Sequence, residues 1–311
     1  MIRGIWISVR INQGRIKVKK ILCTIIGLCC LQITAVQAEL DPLKNYDNFN
    51  AKKFNGCKNC IDGEKWGGGE RWHTNAEVSR GIKSKRVRLS NRVYGETDDD
   101  GGTVQGRNRL LFKDSENFSG VCFTPRALKY EINTCKGNDS SGSAQVRYVG
   151  NFYDADNDDV EDDENGLVYA WFGLRRWSDD GNKKGIFNVS GGASQCLGDD
   201  CEDESWSTWD ENFNNPDLWF DAVKGNNNKK EFCVGYDREN HELVFSFGKK
   251  VRTVDATHGL PPFDDDVNQG LTWQVLETRV DAQNCTDGIR SSYVEGDFDN
   301  VKVRKFSYPP M

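Results

Sequence analysis

The sequence predicts an all-β protein, a two-sheet antiparallel β-sandwich of the jelly-roll kind. Three observations lead there. After residue 40 the chain is a succession of short segments rich in Val, Phe, Tyr and Trp, broken by clusters of Gly, Asn and Asp. The same region shows no apolar repeat at the 3.6-residue spacing of an amphipathic helix. Where the extended segments are long enough to judge, apolar and polar residues alternate. In 143–153, Ala144, Val146 and Tyr148 share one face and Gln145 and Arg147 the other. About a dozen strands with turn signals between them must bury one face each, which two packed sheets achieve.

Taken in chain order, the predicted strands are 46–50, 85–93, 109–112, 126–135, 143–153, 166–177, 185–189, 218–223, 230–237, 242–248, 271–280 and 298–306. In 230–237, Phe232, Val234 and Tyr236 align on one face. Segments 230–237 and 242–248 read as a hairpin whose turn is Arg238-Glu239-Asn240-His241. The stretches DDDGG (98–102), GNDSSG (137–142) and GNNNKK (225–230) are expected to be exposed loops tolerant of change. No Pro/Ser-rich linker and no internal repeat interrupts the chain, so residues 39–311 are expected to form one domain.

The first 38 residues read as a secretory signal peptide. Six basic residues (Arg3, Arg10, Arg15, Lys17, Lys19, Lys20) precede the apolar run ILCTIIGLCCLQITAV (21–36), and Val36-Gln37-Ala38 supplies small residues for cleavage after Ala38. A secreted or periplasmic location is expected, with no stable membrane span after signal removal. Since those six basic residues face no acid before position 38, removing them takes the net charge from -7 to -13. So acidic a surface repels phosphate backbones, and nucleic acid is not an expected partner.

Three of the 11 cysteines fall in this leader, leaving Cys57, Cys60, Cys122, Cys135, Cys196, Cys201, Cys233 and Cys285. An even set in an exported chain implies disulfides, although eight cysteines allow 105 connectivities. Local spacing suggests Cys57 with Cys60, Cys122 with Cys135 and Cys196 with Cys201, which leaves Cys233 for Cys285. Zinc is disfavoured: CKNC (57–60) has no second CxxC, and His73, His241 and His258 lack ligand spacing.

YDNFN (46–50), IDGEKWGGGER (61–71) and FDNVKV (298–303) together resemble secreted domains of the concanavalin A-like lectin and glucanase superfamily. CVGYDRENHELVFSF (233–247) is similar to a strand-turn-strand unit of its bacterial members. The resemblance implies a jelly roll whose first and last strands lie side by side, a carbohydrate site on the concave sheet, and in some members a structural calcium. Fold analogy alone does not assign a ligand.

The residues available for chemistry favour binding over catalysis. A glucanase of this kind carries Glu-x-Asp-x-x-Glu; the nearest match, Glu295-Gly296-Asp297, lacks the last Glu and merges into the closing strand. No nucleophile elbow is present. Tyr169 and Arg175 leave lyase chemistry open. In the acidic run 154–166, Asp154, Asp156 and Asp158 have the spacing of the first ligands of a calcium loop, but Asp159 stands where such a loop needs Gly. Those three are the candidate metal ligands, and Asp98–Asp100 and Asp264–Asp266 are weaker versions. Indole rings stack on sugars, so Trp177, Trp206 and Trp209, with Arg175 and Asp179 beside the first, are the candidate ligand-binding residues. Trp171, Trp219 and Trp273, in central strands, are expected in the core. The leading expectation is an exported lectin-like module that binds a glycan. Secreted carbohydrate-active enzymes (a glycoside hydrolase or polysaccharide lyase) and a structural or adhesive envelope protein are the alternatives.

Overall fold

Alternation of the kind seen in 143–153 recurs throughout a computed structural model of the chain. The structure describes residues 42–56, 60–67, 71–72, 76–97, 102–115, 118–136, 142–154, 167–180, 183–196, 206–208, 219–237, 240, 242–255 and 273–305. The leader and its cleavage site lie outside them. Sixteen strands are described: β1 (Lys44–Asp47), β2 (Arg71–Trp72), β3 (Glu77–Lys83), β4 (Arg86–Tyr94), β5 (Thr103–Leu111), β6 (Phe118–Ile132), β7 (Ser143–Asp154), β8 (Leu167–Trp177), β9 (Ile186–Cys196), β10 (Trp206–Thr208), β11 (Trp219–Lys224), β12 (Phe232–Asp237), β13 (Glu242–Phe247), β14 (Lys250–Asp255), β15 (Gln274–Gln283) and β16 (Ser291–Lys305). No α-helix occurs among the described residues, and none of their helices is long and apolar enough to cross a membrane.

The strands form two eight-stranded antiparallel sheets. The first runs β14-β13-β12-β6-β16-β4-β3 with β1 also on β16; the second runs β10-β9-β8-β7-β15-β5-β2 with β11 also on β9. This is the expected sandwich. The facing sides interdigitate into an apolar core: Leu89, Phe123, Phe232, Val234, Phe245 and Phe298 from the first sheet meet Val146, Tyr148, Phe172, Leu174, Val189 and Leu276 from the second. Phe172 bridges the layers, its ring 5.0 Å from that of Phe232 and 5.6 Å from that of Phe245. Ala144, Val146 and Tyr148 do share the core side, and Asp237 pairs with Glu242 to close the four-residue hairpin turn. β1 pairs with β16, so the first and last strands are neighbours.

Four features differ from the sequence-based expectations. β6 begins at Phe118 and β16 at Ser291, each 15 residues long, because these two strands pair with one another through Gly120, Pro125 and Gly296, residues that read as strand breakers. The strands β3 and β14 had no expectation attached; they are the two edges of the first sheet, and β14 is mostly exposed and charged, so neither carries a clear alternation. The GNNNKK segment is not an exposed loop throughout. Gly225 and Asn228 are buried, Asn228 Nδ2 donates to the Pro125 carbonyl at 2.8 Å, and a Cβ on Gly225 would lie 2.7 Å from the Phe187 ring.

The fourth is the disulfide pairing. Cys122 bonds Cys233 across the β6–β12 register, and Cys135 bonds Cys285. Cys122 cannot meet Cys135 because β6 runs extended from Cys122 to Ile132: ten residues at about 3.3 Å each carry the chain about 33 Å away before the last three residues to Cys135. Cys60 is also disulfide-bonded, and Cys57, Cys201 and the Cys196 side chain lie outside the description. The bonds close loops of 111 and 150 residues. Chain-entropy reasoning assigns each about 3–5 kcal/mol. Unreduced peptide mapping should therefore recover Cys122–Cys233 and Cys135–Cys285 peptides, and reduction should lower the melting temperature by about 10 °C or more. Recovery of a Cys122–Cys135 peptide would contradict the fold.

Candidate functional site

In a strand with one face in the core, every second residue points away from it. On the second sheet those outward residues are unusual. β5 contributes Gln105, Arg107 and Arg109; β15 contributes Glu277, Arg279 and Asp281; β7 contributes Ser143, Gln145 and Arg147; β8 contributes Trp171, Gly173, Arg175 and Trp177; β9 contributes Asn188, Ser190 and Gly192. Register aligns them into rows across the sheet. One row is Arg109, Glu277, Arg147, Gly173, Ser190; the next is Arg107, Arg279, Gln145, Arg175, Asn188.

Glu277 is the centre. It is fully buried, with Arg147 Nε donating to Oε1 at 2.7 Å and Arg109 Nε donating to Oε2 at 3.2 Å. Burial alone would raise its carboxyl pKa, but Arg147, Arg107 and Arg109 together outweigh that and hold it down to about 2. The arginines fare differently. Burial is the largest influence on Arg107 and lowers it to about 10; Glu277 opposes this, and Arg147, Arg109 and Arg279 add repulsion. Arg147 is likewise lowered, by burial first. One carboxylate surrounded by several guanidinium groups is over-compensated, whereas each guanidinium receives only a share of one counter-charge.

Beside this row, Asp281 accepts from Arg279 Nε at 3.1 Å and from the Ser143 hydroxyl, to which Gln145 Nε2 donates at 3.0 Å. Aromatic rings continue the pattern. The Arg109 guanidinium lies 5.0 Å from the Trp273 ring, which meets Tyr169 edge-on at 5.4 Å. Arg175 lies 5.4 Å from the Trp171 ring and 3.9 Å from that of Trp177, and Arg147 lies 5.7 Å from Trp171. Two glycines make room. A Cβ on Gly173 would fall 2.4 Å from Arg147 Cβ, and one on Gly192 would fall 2.4 Å from Trp171 Nε1, so the indole of β8 lies across the backbone of β9.

The predicted residues divide accordingly. Arg175 and Trp177 come together on this face, and Asp179 is exposed just beyond the end of β8. The neighbouring Asp180 accepts from the Trp177 backbone N–H at 2.9 Å and from Asn188 Nδ2 at 3.1 Å. Trp206 opens β10 opposite Cys196, and its side chain is not described. Trp209, Asp156 and Asp158 lie outside the described residues, as do Asp98–Asp100 and Asp264–Asp266; Asp154 ends β7 with its side chain undescribed. Trp171 and Trp273 are not core residues: both are half-buried on the outward face, since Ala170, Phe172 and Gln274 occupy the inward positions beside them. The arginines of β5, β7 and β15 were missed. A strand that alternates Arg or Gln with Val, as in 145–149, was legible as two-faced, but its polar side gave no sign of being buried.

Glu295 and Asp297, the nearest match to a glucanase motif, lie on the outward face of the first sheet. Arg88 pairs with Glu295 at 2.9 Å; Asp297 is fully buried between Arg86 Nε at 2.7 Å and Arg126 Nε at 2.9 Å. Both carboxylates are engaged in holding three strands together. Cys122, Cys233 and Glu231 also place ligand-type atoms within 4.8 Å of one another, but the two sulfurs are bonded to each other and offer no thiolate to a metal.

No family model matches this chain, and no curated protein matches it. Solved structures similar to it include the potassium-bound carbohydrate recognition domain of Emp46p, at 13% identity and a TM-score of 0.31, covering 78% of this chain and 93% of that one. The exoplasmic/lumenal domain of VIP36 in its Ca2+/Man3GlcNAc-bound form matches at 10% identity and a TM-score of 0.32, covering 86% and 92%. A structure concerning endo-acting O-glycanases, which prominent members of the human gut microbiota express to initiate mucin breakdown, matches at 9% identity and a TM-score of 0.37, covering 84% and 98%. The likeness is distant in every case.

Proposed function

We propose that the protein is an exported, lectin-like carbohydrate-binding module of the concanavalin A-like kind, with its glycan site on the outward face of the second sheet. The observation that carries this is the placement of Trp171 and Trp177 on one side of β8 with the Arg175 guanidinium between their rings, beside Gln145 and Asn188. Indoles supply stacking surfaces for the apolar faces of sugars, and the amide and guanidinium groups supply hydroxyl partners. Asp179, just beyond the end of β8, is assigned to the same site, and Trp206 and Trp209 are kept as further sugar-binding candidates. Asp154, Asp156 and Asp158 are assigned to a structural calcium. Disulfides support an oxidising compartment outside the cytosol.

Binding fits these residues better than hydrolysis does. Glu277 and Asp281 stand four residues apart on one strand, about 13 Å at about 3.3 Å per residue, whereas paired glycosidase carboxylates lie about 5–9.5 Å apart. Each is also held by arginine. A glycan array probed with and without calcium tests the proposal. Trp177→Ala should weaken the best array hit about tenfold while leaving the melting temperature within a few degrees. A chain that binds no glycan, or one whose hits are indifferent to both Trp171→Ala and Trp177→Ala, is not a lectin using this face.

A further inference from the structure

We propose that one corner of the sandwich is a peripheral docking surface for anionic phospholipid headgroups. Three chain segments build it. Lys183 and Lys184 stand in the turn from β8 to β9, Lys224, Lys229 and Lys230 lie at and beyond the end of β11, and Lys249, Lys250 and Arg252 lie at the turn into β14. The segments are fastened to one another. Lys224 stands opposite Ile186 in the β11–β9 ladder, and the Gly225 N–H donates to the Gly185 carbonyl at 3.0 Å. The Gly248 N–H donates to the Glu231 carbonyl at 3.0 Å, and Lys230 and Lys250 both reach Asp221, at 3.9 and 3.5 Å.

Counted over residues 179–186, 220–231 and 248–252, the corner holds these eight cations against Asp179, Asp180, Asp221 and Glu231, a formal surplus of four positive charges on a chain whose net charge is -7. Three of those acids are already engaged: Asp180 accepts from Asn188 Nδ2 and the Trp177 N–H, Asp221 serves two lysines, and Glu231 pairs with Lys302 at 2.7 Å. All eight basic residues are exposed, and among the described residues Lys183, Lys184, Lys224, Lys229 and Lys249 make no ion pair. A local charge opposite in sign to the chain's total concentrates counter-charged partners at that place. The negative charge elsewhere on the chain is screened beyond about 8 Å at physiological ionic strength.

The make-up of the corner selects the kind of anion. Its cations are spread over three segments and are nearly all lysines, compact charges on flexible stems, which suit a plane of mobile headgroups better than one chelated anion. No indole or tyrosine ring lies in these segments and Phe220 is buried, so neither a nucleic-acid base nor a sugar finds a stacking surface. An apolar contact is present instead: Val251, between Lys250 and Arg252, is 53% exposed. A valine flanked by cations fits the boundary between headgroups and acyl chains. None of these cations belongs to the glycan site.

Sedimentation of the full mature chain with vesicles of phosphatidylcholine, alone or with about 30% phosphatidylglycerol, tests the proposal. Binding to the anionic vesicles at least about tenfold tighter than to the neutral ones is expected, weakening as ionic strength rises from about 0.05 to about 0.5 M. A lysine close to an anionic surface strengthens binding about fivefold, so the double variants Lys183→Gln/Lys184→Gln and Lys229→Gln/Lys249→Gln should each lose about 10- to 30-fold. Their melting temperatures should match wild type, since neither removes an ion pair. Lys44→Gln/Lys52→Gln, two exposed lysines outside the corner, should lose about twofold at most. Equal binding to neutral vesicles, or equal losses in all three double variants, would overturn the proposal. A single-stranded oligonucleotide bound as tightly as the anionic vesicles would overturn it in favour of nucleic acid, and self-association abolished by the same variants would overturn it in favour of a second copy of the chain. Glycan-array binding should be unchanged in these variants, so this proposal and the lectin reading fail separately.

Discussion

Glu277→Gln is expected to destabilise the fold by about 3–5 kcal/mol, lowering the melting temperature by about 10 °C or more. The substitution preserves shape and removes the one carboxylate that Arg109 and Arg147 share at the centre of the second sheet. Both guanidinium groups are themselves buried, so they cannot recover the lost interaction from water. The same residue sets an acid limb. Its carboxyl titrates near 4.5 in an unstructured chain and near 2 in the folded one, so the stabilisation is complete above about pH 5 and is lost as pH falls through the interval to 2. That interval corresponds to about 3 kcal/mol. Urea unfolding of wild type between pH 7 and pH 2.5 should show the decline, and the variant should show a shallower one. An unchanged melting temperature in the variant would mean that Glu277 does not compensate these arginines.

The fold was largely legible because core burial imposes period two on any strand long enough to show it. Segments 143–153 and 230–237 were read correctly for that reason, and the pairing of Asp237 with Glu242 agrees with the expected hairpin. What escaped was whatever burial does not pattern. β3 and β14 are edge strands with little of one face in the core. The pairing of Cys122 with Cys233 depends on which strands are neighbours, and spacing along the chain carries no information about that. The candidate site was legible in part. Arg175 and Trp177 were named from their proximity in one strand, but Trp171 and Trp273 were assigned to the core because a tryptophan in a central strand usually fills it. The face that a residue takes is set by register, and Phe172 and Gln274 fix it here. The arginines opposite Glu277 come from two strands, β5 and β7, that are far from β15 in sequence, so their convergence could be read only from the sheet order.

Trp66→Ala is expected to cost about 4–5 kcal/mol, the largest effect of any single truncation in the core. Trp66 is 2% exposed, and its ring lies 4.5 Å from Phe112 and 5.2 Å from Tyr46, with Phe49 stacked at 5.8 Å. Removing it opens a cavity beside Tyr46, Phe49 and Phe112, and Tyr46 and Phe112 are already held against each other and against Phe118. The polar consequences add to this. Asp47 is buried, and its Oδ2 accepts from the Trp66 indole N–H at 2.8 Å while Oδ1 accepts from the Phe49 backbone N–H at 2.8 Å. Tyr46 donates its hydroxyl to the Lys65 carbonyl at 2.5 Å, and Lys65 Nζ donates back to the Tyr46 carbonyl at 2.8 Å. The phrases YDNFN and GEKW are therefore two halves of one clasp, which fastens the strand before Asn48 to the segment ending at Trp66. Trp66→Phe keeps most of the volume and loses only the indole donor, so it should cost about 1–3 kcal/mol, the penalty of leaving one Asp47 oxygen unpaired. Denaturant unfolding of the two variants separates packing from hydrogen bonding. Equal losses for Phe and Ala would mean that the Asp47 bond, rather than the aromatic cluster, holds the clasp closed.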